Sequence, residues 1–446
     1  MKSRSQARLS GTVLGRVAAA YRKSVLPNGL RIVTEEIPHV RSVSVGIWID
    51  NGSRDESPDL NGISHFIEHM LFKGTTHRSV REIAESIESV GGYMNAFTGK
   101  EHTCYYARVL DEHLPLALDV LSDLVMNPTF PSRELEKEKG VVIEELKQTE
   151  DDPDDVIHDY FEKELFGAHA LGYPVLGTEA NIRAWNRRTV AEFRSRRYTA
   201  SRIVVAAAGN LRHDAIVRLA EKAFRHIPTN GDPGPVARVP APSAAGSSRR
   251  VFSRPIQQAH ITMGTTGCSV MSEQRFPLMV LNTLLGDGMS SRLFQNIREK
   301  YGFAYTVYSF ANMISDTGTV GAYIGTDTAH IDRCIGLIWD EFNRLVRTLV
   351  PRQELARTKE QLKGNMMLSL ENIPNRMMRL GSAELYFGEF MSLDAMLRRI
   401  EAVTPDDLRE VARSLFRPER FTTVIFKPNG AAAPSAKPER DDSSDD

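Results

Sequence analysis

Within this 446-residue chain, one short string has the residue types and spacing of a metal site, His65-Phe66-Ile67-Glu68-His69. His65 and His69 are four apart, so one turn of helix brings both imidazoles to one point. Two neutral imidazoles at that spacing suit zinc, with further ligands drawn from elsewhere in the chain. Glu68 falls beside them on the same face. A carboxylate there can take a proton from activated water and later give it to a leaving amine. The chemistry is therefore metal-assisted hydrolysis. The alternative is a helix whose two histidines and glutamate are simply solvated.

The element that must hold these residues is an amphipathic helix. Ile63, Phe66, Ile67, Met70 and Leu71 fall at i, i+3, i+4, i+7 and i+8, which is one apolar stripe. His65, Glu68 and His69 lie opposite it, and Gly74 is placed to end the helix. Upstream, Ser24-Val25-Leu26 and Leu30 to Thr34 flank Pro27-Asn28-Gly29 and predict a hairpin. Ser42 to Ile49 reads as a strand, and Tyr93 to Val109 as β-rich. Helices are expected over Glu112 to Met126 and over Arg133 to about Gln148. Ile203 to Ala208 suits a buried strand.

Residues 228–248 are dominated by Pro, Gly and small side chains and read as an interdomain linker. The halves beside it look related. Each has a helix followed by a Pro-initiated one (Pro131 to Leu135, Pro351 to Leu355), and each closes on a β-rich run (Ile203 to Val205, Phe421 to Phe426). The expected fold class is α+β, with two related domains of helices packed on an antiparallel sheet, at 24–227 and 249–428. Residues 1–23 read as a disordered basic extension and 429–446 as a disordered tail.

Composition excludes several classes. Lys+Arg of 56 against Asp+Glu of 57 gives a net charge of -1, so no whole-chain attraction to nucleic acid is expected. Three widely spaced cysteines, Cys104, Cys268 and Cys334, make neither a disulfide framework nor a cysteine metal site, and read as free thiols of a reducing compartment. No apolar run has the length of a membrane span. The first 24 residues carry Lys2, Arg4, Arg8, Arg16, Arg22 and Lys23 and no acid, which also describes a mitochondrial presequence.

The order His-x-x-Glu-His is that of the inverted zinc peptidases. Leu26 to Arg31, Gly52-Ser53-Arg54-Asp55-Glu56, Gly62 to Thr75 and Asn95-Ala96-Phe97-Thr98 together resemble the pitrilysin/insulinase family. More narrowly they resemble its processing-peptidase branch, which includes bacterial homologues of the mitochondrial processing peptidase β subunit. The resemblance spans about residues 24 to 427. It implies one zinc ion per chain and a third ligand far downstream, in Glu134 to Leu146. Spacing alone leaves Glu138, Glu144 and Glu145 open. The family pattern implies Glu145, 76 positions after His69. A second family glutamate matches Glu138, about 10 Å from Glu145 on the same helix face, where it would support the site.

The resemblance also implies that Asn95, Ala96 and Phe97 lie on an edge strand to which the substrate peptide adds. Arg298 and Tyr305 match the pair that reaches substrate and oxyanion from the second half. That half lacks the histidine motif and has Asn365 near the place of Glu145, so it is expected to be non-catalytic and to form the other wall of a clamshell chamber. Acids crowd Glu144 to Asp159, which would favour basic peptides if they flank the cleft.

The function expected is a zinc-dependent endopeptidase that cleaves short or unfolded peptides bound as an extended strand. The alternative is a non-catalytic scaffold or partner subunit of a heteromeric processing peptidase. Partners expected are the peptide substrate and no nucleic acid, with a homodimer left open. The wording of the motifs points to bacterial cytoplasm, with the mitochondrial matrix as the second choice.

Overall fold

Runs rich in Val, Ile, Ala and Thr build two sheets. The computed structural model describes residues 21–229, 238–242 and 246–429. Residues 1–20, 230–237, 243–245 and 430–446, which include most of the extension and tail and much of the linker expected from sequence, lie outside the described residues.

The first sheet contains β1 (Tyr21–Val25), β2 (Arg31–Glu36), β3 (Ser42–Ile49), β4 (Tyr93–Thr98), β5 (Thr103–Leu110) and β6 (Ile203–Gly209), in the order β1-β2-β6-β3-β5-β4. The second contains β7 (Ser248–Arg254), β8 (Ala259–Gly267), β9 (Ala304–Met313), β10 (Gly318–Thr326) and β11 (Thr422–Pro428), in the order β7-β11-β8-β10-β9. With β1 set aside the two orders correspond strand for strand. Each sheet carries one parallel pair, β2 with β6 and β7 with β11, among otherwise antiparallel neighbours. The sheets are antiparallel, as expected, apart from this one pair in each. β6 and β11 come back only after a series of helices, long enough for the crossover that a parallel pair needs.

Strand β1 begins at Tyr21, so the last three residues of the stretch 1–23 belong to the sheet rather than to an extension. Their charges are used there. Arg22 pairs with Asp214 at 2.8 Å, and Lys23 with the buried Glu384 at 2.8 Å. At the other boundary, Ser248 already lies in β7.

Helices α1 (Ile63–Leu71), α2 (Val80–Glu88) and α3 (Leu114–Met126) cover one face of the first sheet. The stripe Ile63, Phe66, Ile67, Met70 and Leu71 is fully buried in this core. Next come the long α4 (Ser132–Asp151) and α5 (Pro153–Phe166).

The opposite face of each sheet is closed by a helix from the other half of the chain. Ile373, Met377 and Leu380 of the helix Ile373–Phe387 pack on Val33, Trp48, Cys104, Val204 and Ala206 of the first sheet. Conversely, α5 lies within 24–227 yet packs Val156, Ile157 and Phe161 on Tyr323, Val424 and Phe426 of the second. A glycine in the central strand admits each visitor. A Cβ on Gly46 would sit 2.6 Å from Met377 Sδ, and one on Gly264 2.9 Å from Phe161 Cζ. Burying three such side chains is worth on the order of 5–9 kcal/mol, comparable with the whole stability of a domain.

Buried charge ties the halves together beside the turn that follows β4. Arg54 binds Glu101 of that turn at 2.7 Å and, bidentately, Asp316 of the β9–β10 turn at 2.6 and 2.7 Å. Arg238, inside the stretch read as linker, pairs with Asp50 at 2.8 Å and Asp55 at 3.0 Å. Among the described residues no helix is long and apolar enough to cross a membrane.

Candidate active site

Helix α1 starts at a left-handed residue, Gly62 (φ 97°), which has no side chain to cap the first turn. Glu56 does that work from outside the helix. Its carboxylate accepts from the backbone N–H of Gly62 and of Ser64, both at 2.7 Å, and from Asn61 Nδ2 at 3.2 Å. A negative group is favoured at this end of the helix dipole. Burial nevertheless pushes the Glu56 carboxyl up to about 7, with the N–H donors opposing.

The folded state binds that proton more tightly than the unfolded chain does. The stability this group contributes is complete below the ordinary carboxylate range and is lost as pH rises through about 7. Glu56→Gln sets an amide N–H2 against a backbone N–H, with an expected loss of about 1–3 kcal/mol. The advantage of the native residue should be larger at pH 5 than at pH 8. Urea midpoints of both proteins at both pH values check this, and an equal advantage would contradict it.

One turn apart on α1, His65 and His69 stand with ring centroids 4.6 Å apart. Both Nε2 atoms face Glu145 of α4, at 3.7 Å from His65 and 3.3 Å from His69. One donor atom from each of His65, His69 and Glu145 lies within 4.8 Å of the others, the only such group of metal-ligating side chains among the described residues. Two imidazole nitrogens and a carboxylate oxygen are a donor set that fits zinc in an open, three-ligand site. Burial, then the neighbouring His69 charge, holds His65 below its ordinary value, so it is a neutral donor. Burial alone would depress His69 too, but hydrogen bonds to Glu138 and Glu145 raise it to about 9.

Glu138 stands behind His69 rather than beside His65. It binds His69 Nδ1 at 3.0 Å and Lys73 Nζ at 2.8 Å, and its carboxyl is held below the usual range by these two partners, against the penalty of burial. This bond turns the Nε2 of His69 toward Glu145, the arrangement that orients a ligating histidine. Glu144 points away, exposed and paired with Lys147 at 2.7 Å. Lys73 was not singled out from sequence. Its signal is its place four residues after His69, in the turn that follows α1.

Glu68 lies beside the cluster. Its Oε2 accepts from Thr98 Oγ1 at 2.5 Å, and burial raises its carboxyl while that bond and His69 oppose. Thr98 is the last residue of β4, and β4 is the edge of the first sheet. On the same strand, Asn95 Nδ2 donates to the Tyr93 hydroxyl at 2.7 Å and Asn95 Oδ1 accepts from the Ala96 N–H at 2.8 Å. Ala96 faces the α1 side, and Phe97 faces the Trp48 side. A cleft of about 1100 Å³ opens onto His69 and Glu145 along Gly140, Val141 and Gln148 of α4.

The structure does not bring every expected residue to this point. Arg298 lies on the helical segment Phe294–Glu299, over the rings of Phe294 at 4.6 Å and Tyr305 at 4.7 Å. Tyr305 is the second residue of β9, the edge of the second sheet, and is 77% exposed. Neither makes a hydrogen bond or ion pair to the histidine cluster. The acidic run is divided. Glu150 pairs with Arg254, Asp154 binds His260 and Tyr323, and Asp159 lines a separate cavity of about 440 Å³, where burial pushes it up to about 6.

Comparison with known proteins adds a consistent set of likenesses. A family profile described as insulinase (peptidase family M16) matches residues 31–179, and one described as peptidase M16 inactive domain matches residues 184–362. An uncharacterized zinc protease of Streptomyces coelicolor is 44% identical over 410 residues, covering 91% of this chain and 89% of that protein. One of Bacillus subtilis is 43% identical over 410 residues, covering 90% and 97%. A crystal structure of a protease from Helicobacter pylori superposes with a TM-score of 0.86 at 21% identity, over 92% of this chain and 99% of that one. A peptidase M16 inactive domain from Pseudomonas fluorescens gives a TM-score of 0.84 at 20% identity, over 93% and 100%. These last two show a shared fold.

Proposed function

Since the chain belongs to the insulinase family, peptidase family M16, we propose that it is a zinc-dependent endopeptidase with the self-contained site His65, His69, Glu145 and Glu68. The observation that carries this is the convergence of two imidazole nitrogens and one carboxylate, with the second carboxylate of Glu68 beside them, next to an open sheet edge. Zinc bound by His65, His69 and Glu145 supplies Lewis acidity, which acidifies water and polarises a peptide carbonyl.

The chain's own residues do the rest. Glu68 has one oxygen held by Thr98, which leaves Oε1 to take the proton from the attacking water and pass it to the leaving amine. Glu138 keeps the His69 ring in place. The outer edge of β4 offers unpaired backbone groups, so an extended peptide adds there as a further strand. Asn95, now bonded within its own strand, can release the Ala96 N–H to that peptide and bind its backbone. Backbone pairing demands little sequence, which suits short or unfolded substrates. Arg298 and Tyr305 would meet the substrate carbonyl and oxyanion from the second half once a peptide bridges the two edges. The family motifs align it with the processing-peptidase branch.

The test is hydrolysis of a quenched fluorescent peptide by the purified chain alone, with bound zinc quantified. Cleavage that a chelator abolishes and added zinc restores is the expected result. Bound zinc without cleavage would overturn the proposal in favour of a partner subunit that needs a second chain.

A further inference from the structure

We infer that Thr98 is a positioning residue for hydrolysis, through which the strand that docks the peptide also aims the general base. The inference rests on the reading of Glu68 as that base. Alternation along β4 places Met94, Ala96 and Thr98 on the α1 side of the sheet, and puts the Thr98 hydroxyl within 2.5 Å of Glu68 Oε2. Thr98 makes the one side-chain hydrogen bond that Glu68 has among the described residues. It fixes Oε2 and leaves Oε1 unengaged, as a carboxylate that must accept one proton requires.

The hydroxyl is itself held by backbone rather than by a mobile side chain. Thr98 pairs in register with Thr103, whose Oγ1 binds the Asn51 carbonyl at 3.0 Å. The next residue, Gly99, receives the Ser53 N–H on its carbonyl at 3.1 Å and donates to His102 O at 2.8 Å. A Cβ on Gly52 would sit 2.4 Å from Gly99 O, so the two loops are in close contact. A threonine at this place has one preferred set of rotamers, because its Cβ is branched. Thr98 thus transmits the position of the edge strand to a carboxylate that would otherwise turn about its own bonds.

Thr98→Val keeps the shape and removes the donor, and Thr98→Ser keeps the donor. Thr98→Val should lower kcat roughly 10- to 100-fold, the loss typical of one hydrogen bond to a charged group, with KM changed less than about 3-fold and zinc content unchanged. Thr98→Ser should stay within about 3-fold of the native rate. Crystal structures of the native protein and Thr98→Val give a readout independent of turnover: the Glu68 carboxylate should leave its place or occupy two. A native kcat in Thr98→Val, an equal loss in Thr98→Ser, or an unmoved Glu68 would each overturn the inference. If the native chain cleaves no peptide, the peptidase proposal falls, and the crystallographic comparison still decides the role of Thr98.

Discussion

Glu68→Gln should lower kcat/KM by roughly 10³-fold, within the range general bases supply, while the chain keeps one zinc. The substitution preserves volume and can still accept the Thr98 hydroxyl on its amide oxygen, so the helix and the ligand triad have no reason to move. What disappears is the second oxygen, the group that accepts a proton. Glu68 makes no contact that holds His65 or His69, so its loss separates chemistry from metal binding. Peptide kinetics with zinc measured on the same preparation check the prediction. Full activity would end the assignment of Glu68 as the base. Lost zinc would show that Glu68 is instead a ligand.

The second large effect distinguishes two glutamates of one helix. Glu138→Gln should weaken zinc binding about 10- to 100-fold, the usual consequence of removing the partner that orients a ligating histidine. Glu145→Ala should weaken it further, to the point where the purified protein holds no zinc, because the carboxylate whose two oxygens face the two Nε2 atoms is gone. Competition against a chromophoric chelator gives both affinities. The reverse order would exchange the two roles. The difference follows from helix geometry: seven residues bring both carboxylates to one face, yet only Glu145 lies across from both imidazoles, and Glu138 is buried behind one of them.

That geometry also explains what the sequence could and could not reveal. The apolar stripe of α1 was legible because a buried face must repeat every three to four residues, and the same count put His65, Glu68 and His69 together. Spacing could not choose among Glu138, Glu144 and Glu145, because the choice depends on how α4 crosses α1. Glu56 and Thr98 lie in strings that carry the family resemblance, yet their roles were illegible for a related reason. Each reaches α1 from a separate element, one by loop closure and one by strand alternation, and local sequence does not say which group on α1 it meets. The packing of α5 and of Ile373–Phe387 was hidden as well. An amphipathic pattern says that a face will be covered and is silent on which sheet covers it.

The exchange of those two helices sets a schedule for synthesis. The last strand of the first sheet ends at Gly209, while the helix that covers its second face starts at Ile373, 164 residues later. At about 5–20 residues per second, the interval is roughly 8–30 s. Throughout it, Trp48, Val204 and Ala206 lack the cover of that helix, although His65, His69 and Glu145 have already been made. A ribosome that stalls near the linker therefore releases a chain with all its metal ligands and a bare apolar sheet, a substrate for chaperones and a seed for aggregation.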